Sequence, residues 1–190
     1  MSVTLPGTGQ AGADALIGRE AELDRIRQVL EAARTGRPTI ALLMGEAGIG
    51  KTRLADEASR LARAVGLRVL RGESDASSRR PMQLWREVDR ALGLAVRGDP
   101  ALPVGERRWE HLEALADALA AGGPSLVVLE DLHWADPIAI WVLERLPRAL
   151  GEAPVALLAT SRDHEPDTPA IDGLRRVARP ELEVVDKMPH

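Results

Sequence analysis

Short apolar runs alternate along this chain with longer stretches in which apolar residues return every third or fourth position. The runs are Thr39-Ile-Ala-Leu-Leu-Met44, Leu67 to Leu70, Ser125-Leu-Val-Val-Leu129, Val155-Ala-Leu-Leu-Ala159 and Leu182 to Val185. Thr39 to Met44 and Ser125 to Leu129, short and without polar alternation, predict strands covered on both faces of a sheet, and the other runs are strand candidates. The helical stretches are Gly18 to about Ala33, Lys51 to about Val65, Met82 to Leu92, Glu106 to Ala121, Pro137 to Leu150 and a short one near Ile171 to Ala178. In the first of these Leu23, Ile26, Val29 and Leu30 share one face. Asp136-Pro137 marks a helix start, an acidic cap followed by the residue whose missing N–H costs nothing in a first turn. Arg71 to Arg80, which is polar, and Arg97 to Gly105, punctuated by Pro and Gly, read as connections.

Strands alternating with helices predict parallel βαβ units. The expected fold is therefore α/β: three layers, a mostly parallel five-stranded sheet with helices on both faces. Residues 1–13, rich in Gly, Thr and Ala, are expected to be a disordered lead-in, and residues 14–190 one domain. Ligands of such sheets bind at the carboxyl ends of the strands. The polar groups of interest follow the apolar runs there: Gly45 to Thr52, Glu130-Asp131, and Thr160 to Arg162.

Composition narrows the chemistry. The 190 residues are 45% hydrophobic and 28% charged, ordinary for a globular domain. Phe and Tyr are absent, so the core rests on Leu, Val, Ile and Ala with four Trp. Absence of Cys excludes disulfides, thiolate metal sites and cysteine nucleophiles together. A net charge of −4 argues against direct nucleic-acid binding, which usually needs a basic face. No apolar run approaches the roughly 20 residues that span a bilayer, and residues 1–13 lack the regions of a signal peptide. The expected location is the cytoplasm.

Gly45-Glu46-Ala47-Gly48-Ile49-Gly50-Lys51-Thr52 matches G-x-x-x-x-G-K-[ST] in full. A polyphosphate needs many N–H donors aimed at one point, and the loop that wraps it needs backbone angles that Gly tolerates. The helix beginning at Lys51 adds its positive end. Lys51 is expected to reach the β- and γ-phosphates, and Thr52 to ligate Mg²⁺. Arg53 follows as a further nucleotide contact. At average residue frequencies such a match arises by chance in about one chain of this length in a hundred, or fewer. Lys51 and Lys187 are, moreover, the only lysines in a chain that otherwise uses Arg.

Hydrolysis needs a carboxylate near the metal and often a second to polarise water. Glu130 and Asp131 are the candidates. Neighbouring strand residues point to opposite faces, so both serve one site only if the strand ends between them. Arg162 is a candidate contact for the γ-phosphate or the acids, a surface Arg being the alternative. His133 reads as a local structural residue, with a metal or base role as the alternative, and Asp136 as a helix cap rather than a base.

Four segments together resemble the AAA-like ATPase module of the STAND class of signalling NTPases, found in LuxR-type (LAL, MalT-like) bacterial regulators and often described as origin-recognition-complex-like. They are Leu16-Ile-Gly-Arg-Glu-Ala-Glu22, the phosphate loop, Leu126 to Asp136 (LVVLEDLHWAD) and Leu157 to Arg162 (LLATSR). The resemblance implies that Gly18, Arg19 and Glu20 lie near adenine and ribose, and it favours ATP over GTP. It places Glu130 where the family has the Mg²⁺-associated Asp, and Asp131 where it has the water-activating acid. Glu is one methylene longer, which implies slow hydrolysis. Family members continue into a lid and further regions, so this chain is expected to be a nucleotide-binding core without its lid.

The expected function is an ATP-binding, slowly hydrolysing switch of a signalling or transcriptional regulator. Its partners would be ATP and ADP and a protein or the missing C-terminal regions, without nucleic acid or membrane. The alternatives are a binding-only module or inactive fragment, and a small-molecule P-loop kinase.

Overall fold

The computed structural model describes residues 19–77, 80–94, 106–162 and 182–185. Its elements are α1 (Glu20–Arg34), β1 (Thr39–Met44), α2 (Lys51–Ala64), β2 (Arg68–Glu73), α3 (Gln83–Ala91), α4 (Glu106–Ala121), β3 (Ser125–Glu130), α5 (Pro137–Ala149), β4 (Val155–Ser161) and β5 (Leu182–Val185). The strands form one sheet in the order β2-β3-β4-β1-β5. Every pairing is parallel.

Side-chain alternation along the strands divides the interior in two. Ile40, Leu42, Met44, Val127, Leu129, Val155, Leu157 and Ala159 meet α3, α4 and α5 on one face. Ala41, Leu43, Leu126, Val128, Ala156 and Leu158 meet α1 and α2 on the other. Both faces of β1, β3 and β4 are thus covered by apolar side chains, which is why these strands are apolar throughout. The expected three layers and helices on both faces are present.

Boundaries differ from the expectation where local chemistry is ambiguous. β2 runs to Glu73, three residues past Leu70, although its end is polar. It is an edge strand with only β3 beside it, so Arg71 and Glu73 reach solvent while Gly72 packs closely. A Cβ on Gly72 would lie 1.9 Å from the carbonyl oxygen of Leu84, so only glycine lets α3 seat on this strand. α3 begins at Gln83 rather than Met82, which has φ 57° and is left-handed. A single 3₁₀ turn, Leu132–Trp134, intervenes before α5. Asp136 caps α5 as expected: its Oδ1 accepts from the N–H groups of Ile138 and Ala139 at 3.0 and 3.1 Å. Its Oδ2 also accepts from the N–H of Met82 at 2.7 Å, tying the start of α3 to the start of α5. The lead-in and the helix expected near Ile171 to Ala178 lie outside the described residues.

A second carboxylate sits inside the α3–α4 contact. Asp89 is 4% exposed, and burial pushes its carboxyl up to about 7, with Arg86 pulling weakly the other way. His111 of α4 lies 3.6 Å away with its own pKa lowered by burial. A carboxyl whose folded pKa exceeds its unfolded value of about 3.9 stabilises least at high pH. The loss develops between about pH 4 and pH 7. Buried neutral His111 has the opposite sign, its contribution being lost as pH falls below about 6.5. Asp89→Asn, which fixes the neutral form, is expected to raise stability at pH 8 by up to about 4 kcal/mol. The gain should shrink toward pH 5 in paired thermal melts; an equal gain at both pH values would show that ionisation of Asp89 is not the cause.

Candidate functional site

β1 delivers the chain from the sheet into the loop Gly45–Gly50, and α2 starts at Lys51 directly behind it. Gly48 and Gly50 take φ of 80° and 100°, the left-handed region that side chains rarely adopt. A Cβ on either would meet nothing within 4 Å, so the left-handed backbone of the loop, not crowding, is what calls for glycine there. Lys51 is 8% exposed, and its Nζ donates to the carbonyl oxygens of Gly45 and Glu46, both at 2.8 Å. Its pKa is lowered, first by burial; Asp131 opposes that shift and Arg162 adds to it.

The sheet brings the second half of the site to the same place. Glu130 ends β3, and Asp131 leaves the strand with φ 58°. The strand therefore ends between the two acids. Asp131 is pinned by its backbone N–H, which donates to Thr160 Oγ1 of β4 at 3.1 Å. Thr160 is buried, and Arg162 follows it with its guanidinium 5.9 Å over the ring of Trp134. Ala47, Gly48, Gly50, Lys51, Thr52, Arg53, Asp56, Asp131 and Arg162 line one open cleft of about 500 Å³.

Glu130 is placed differently from its neighbour. It lies on the α2 side of the sheet, in alternation with Leu126 and Val128, but is not among the residues lining the cleft. Its carboxylate accepts from Arg71 of β2 at 2.5 Å, and the same guanidinium donates to Asp56 of α2 at 2.5 Å. The Arg71 pKa is raised: burial opposes its charge, and the hydrogen bonds to the two acids outweigh burial. Arg71 and Asp56 were not singled out from the sequence. Asp56 stands four residues after Thr52 on α2, a spacing that shares a helix face, whereas nothing local marks Arg71.

Among the other candidates, Gly45 and Glu46 supply the carbonyls that hold Lys51, and Ile49 accepts from Arg19 at 3.4 Å. Arg19 also pairs with Glu22 at 3.0 Å, fastening the start of α1 to the loop. Gly18 lies outside the described residues. The His133 side chain is fully buried, with Nδ1 3.8 Å from Asp131 and its ring against Trp134, which suits the local structural role. No cluster of three metal-ligating side chains occurs among the described residues. None of the described helices is long and apolar enough to cross a membrane.

The residues present fit a magnesium nucleotide. The loop turns on two left-handed glycines, opens onto the cleft, and carries an ammonium that donates to backbone carbonyls of the loop itself. Thr52 supplies a hard oxygen donor of the kind Mg²⁺ takes. Thr52 and, if released from Arg71, Glu130 would hold the metal shell.

Comparison with known proteins places this geometry. A curated relative is an uncharacterized protein of Rhizobium meliloti, 28% identical across 77% of this chain; the chain spans 18% of that protein. Among solved structures, Cdc6p from Pyrobaculum aerophilum superposes with a TM-score of 0.63 at 20% identity, over 90% of this chain and 46% of that one. ORC1 of Aeropyrum pernix, solved in complex with DNA, gives 0.59 at 26% identity, over 93% and 47%. The replication initiator DnaA, solved with AMPPCP and single-stranded DNA, gives 0.52 at 16% identity, over 92% and 48%. The family described as AAA ATPase domain matches residues 15–158, and with the phosphate loop, acidic strand end and sheet order in place, the chain belongs to that family.

Proposed function

We propose that this domain binds ATP with Mg²⁺ on Gly45 to Thr52 and serves as a slowly hydrolysing switch within a larger signalling or transcriptional regulator of the STAND type. The observation that carries the reading is the convergence of Lys51, Thr52, Asp131 and Arg162 on one cleft. The LuxR-type resemblance of Leu16 to Glu22 and Leu126 to Asp136 supports the regulator.

In this reading Lys51 exchanges its two carbonyl partners for β- and γ-phosphate oxygens. Backbone N–H groups of the loop hold the remaining phosphate oxygens, and Arg53 adds charge. Arg19, fastened to the loop through Ile49, and Gly18 lie toward adenine and ribose. Asp131 orients and deprotonates the attacking water, held in place by Thr160, while Arg162 faces the γ-phosphate. Bound Mg²⁺ neutralises charge on the phosphate oxygens. A nucleotide that binds one state better shifts the balance between states by that difference alone.

Titration with a fluorescent ATP analogue, with and without Mg²⁺, tests the reading. Affinity at least about tenfold tighter with Mg²⁺, and displacement by ATP in preference to GTP, are expected. A folded protein that binds neither nucleotide would refute it. The alternative is a binding-only module, favoured by the engagement of Glu130 with Arg71. The proposed partners are ATP, ADP and protein. DNA is left out because of the −4 charge, and retention of duplex DNA at physiological salt would restore it.

A further inference from the structure

Arg71 has no part in the proposed chemistry, yet it joins the two sides of the site. It is on β2, and its guanidinium reaches Glu130 at the end of β3 and Asp56 on α2, 2.5 Å from each. The two acids differ in setting. The Glu130 side chain is 13% exposed and held off the cleft, whereas that of Asp56 is 57% exposed and lines it. Asp56 also sits one helical turn after Thr52, so it faces the same space.

A guanidinium is charged at every accessible pH and sits firmly on a carboxylate. A divalent cation seeks the same oxygens, and two cations crowded on one carboxylate repel each other. Resting on the reading that Glu130 belongs to the metal shell, we propose that Arg71 is a positioning residue that holds Glu130 off the cleft. A cation entering beside Thr52 then competes with Arg71, and Asp56 retains the displaced guanidinium. The Asp56–Arg71–Glu130 bridge thereby sets how much Mg²⁺ the site needs.

The test is the Mg²⁺ concentration giving half-maximal binding of a fluorescent ATP analogue, read by anisotropy without turnover. Chelation of Mg²⁺ by the nucleotide in solution is common to all variants, so differences between them report the protein. Arg71→Gln is expected to lower the half-point about fivefold, and Asp56→Asn to raise it. Glu130→Gln should raise it, and adding Arg71→Gln to that variant should change nothing further. If Arg71→Gln does not fold, Arg71→Met, which keeps the unbranched stem but removes the charge, should shift the half-point in the same downward direction. A half-point unmoved by Glu130→Gln would overturn the metal-shell reading and the proposal with it. One moved by Glu130→Gln but not lowered by either Arg71 variant would overturn the competition alone.

Discussion

Lys51→Ala is expected to weaken nucleotide binding by roughly a hundredfold or more while leaving the fold intact. A charge-assisted hydrogen bond contributes about 1.5–3 kcal/mol, and the larger figure corresponds to about two decades in Kd. Lys51 is placed to give more than one such bond. Its ammonium already sits against the loop at Gly45 and Glu46, so little ordering is left to do on binding. The fold should survive because, among the described residues, the Lys51 ammonium bonds to the loop that carries it. Burial, moreover, works against its charge. Parallel thermal melts and analogue titrations check both halves. Binding within a few-fold of wild type in a folded variant would mean the phosphates do not sit on this loop.

Asp131→Asn is the second large effect, and it separates chemistry from binding. Asn tolerates the left-handed backbone that Asp131 adopts, and the contact to Thr160 comes from the main chain, so the turn should persist. Losing a positioned general base typically removes about 10²–10⁴ of the rate. Phosphate release is expected to fall by about a hundredfold or more, with analogue affinity within a few-fold of wild type. Unchanged turnover would take Asp131 out of the catalytic role. Tight binding by a wild type without any turnover would favour the binding-only reading.

What the sequence disclosed, it disclosed through local patterns. β1, β3 and β4 are apolar because sheet neighbours and helices cover them, so a single-sequence reading finds them. The phosphate loop is legible for a related reason: its glycines, Lys51 and Thr52 are contiguous, and the geometry is a property of that segment. Asp136 was legible as a cap because Pro137 follows it. Its second contact, to Met82 across the fold, was not. β2 was cut short because an edge strand need not be apolar at its end. A polar strand end reads as a connection, which leaves Arg71, and with it the bridge to Glu130, invisible to local pattern. Met82 and Asp131 adopt left-handed backbones without being glycine, a choice imposed by tertiary contacts rather than by residue type.

The place of β1 in the sheet has a consequence for how the protein is made. Its strand neighbours are β4 and β5, both far along the chain, while β2 and β3 pair with each other first. As the polypeptide leaves the ribosome, the segment carrying Gly45 to Thr52 emerges early but has no strand to lie against until Val155 to Ser161 follows. Pairing over such separations is slow to form. Ribosome-bound chains halted before β4 should therefore carry the whole phosphate-loop motif and retain no nucleotide, with the site appearing abruptly once Ser161 has cleared the exit tunnel.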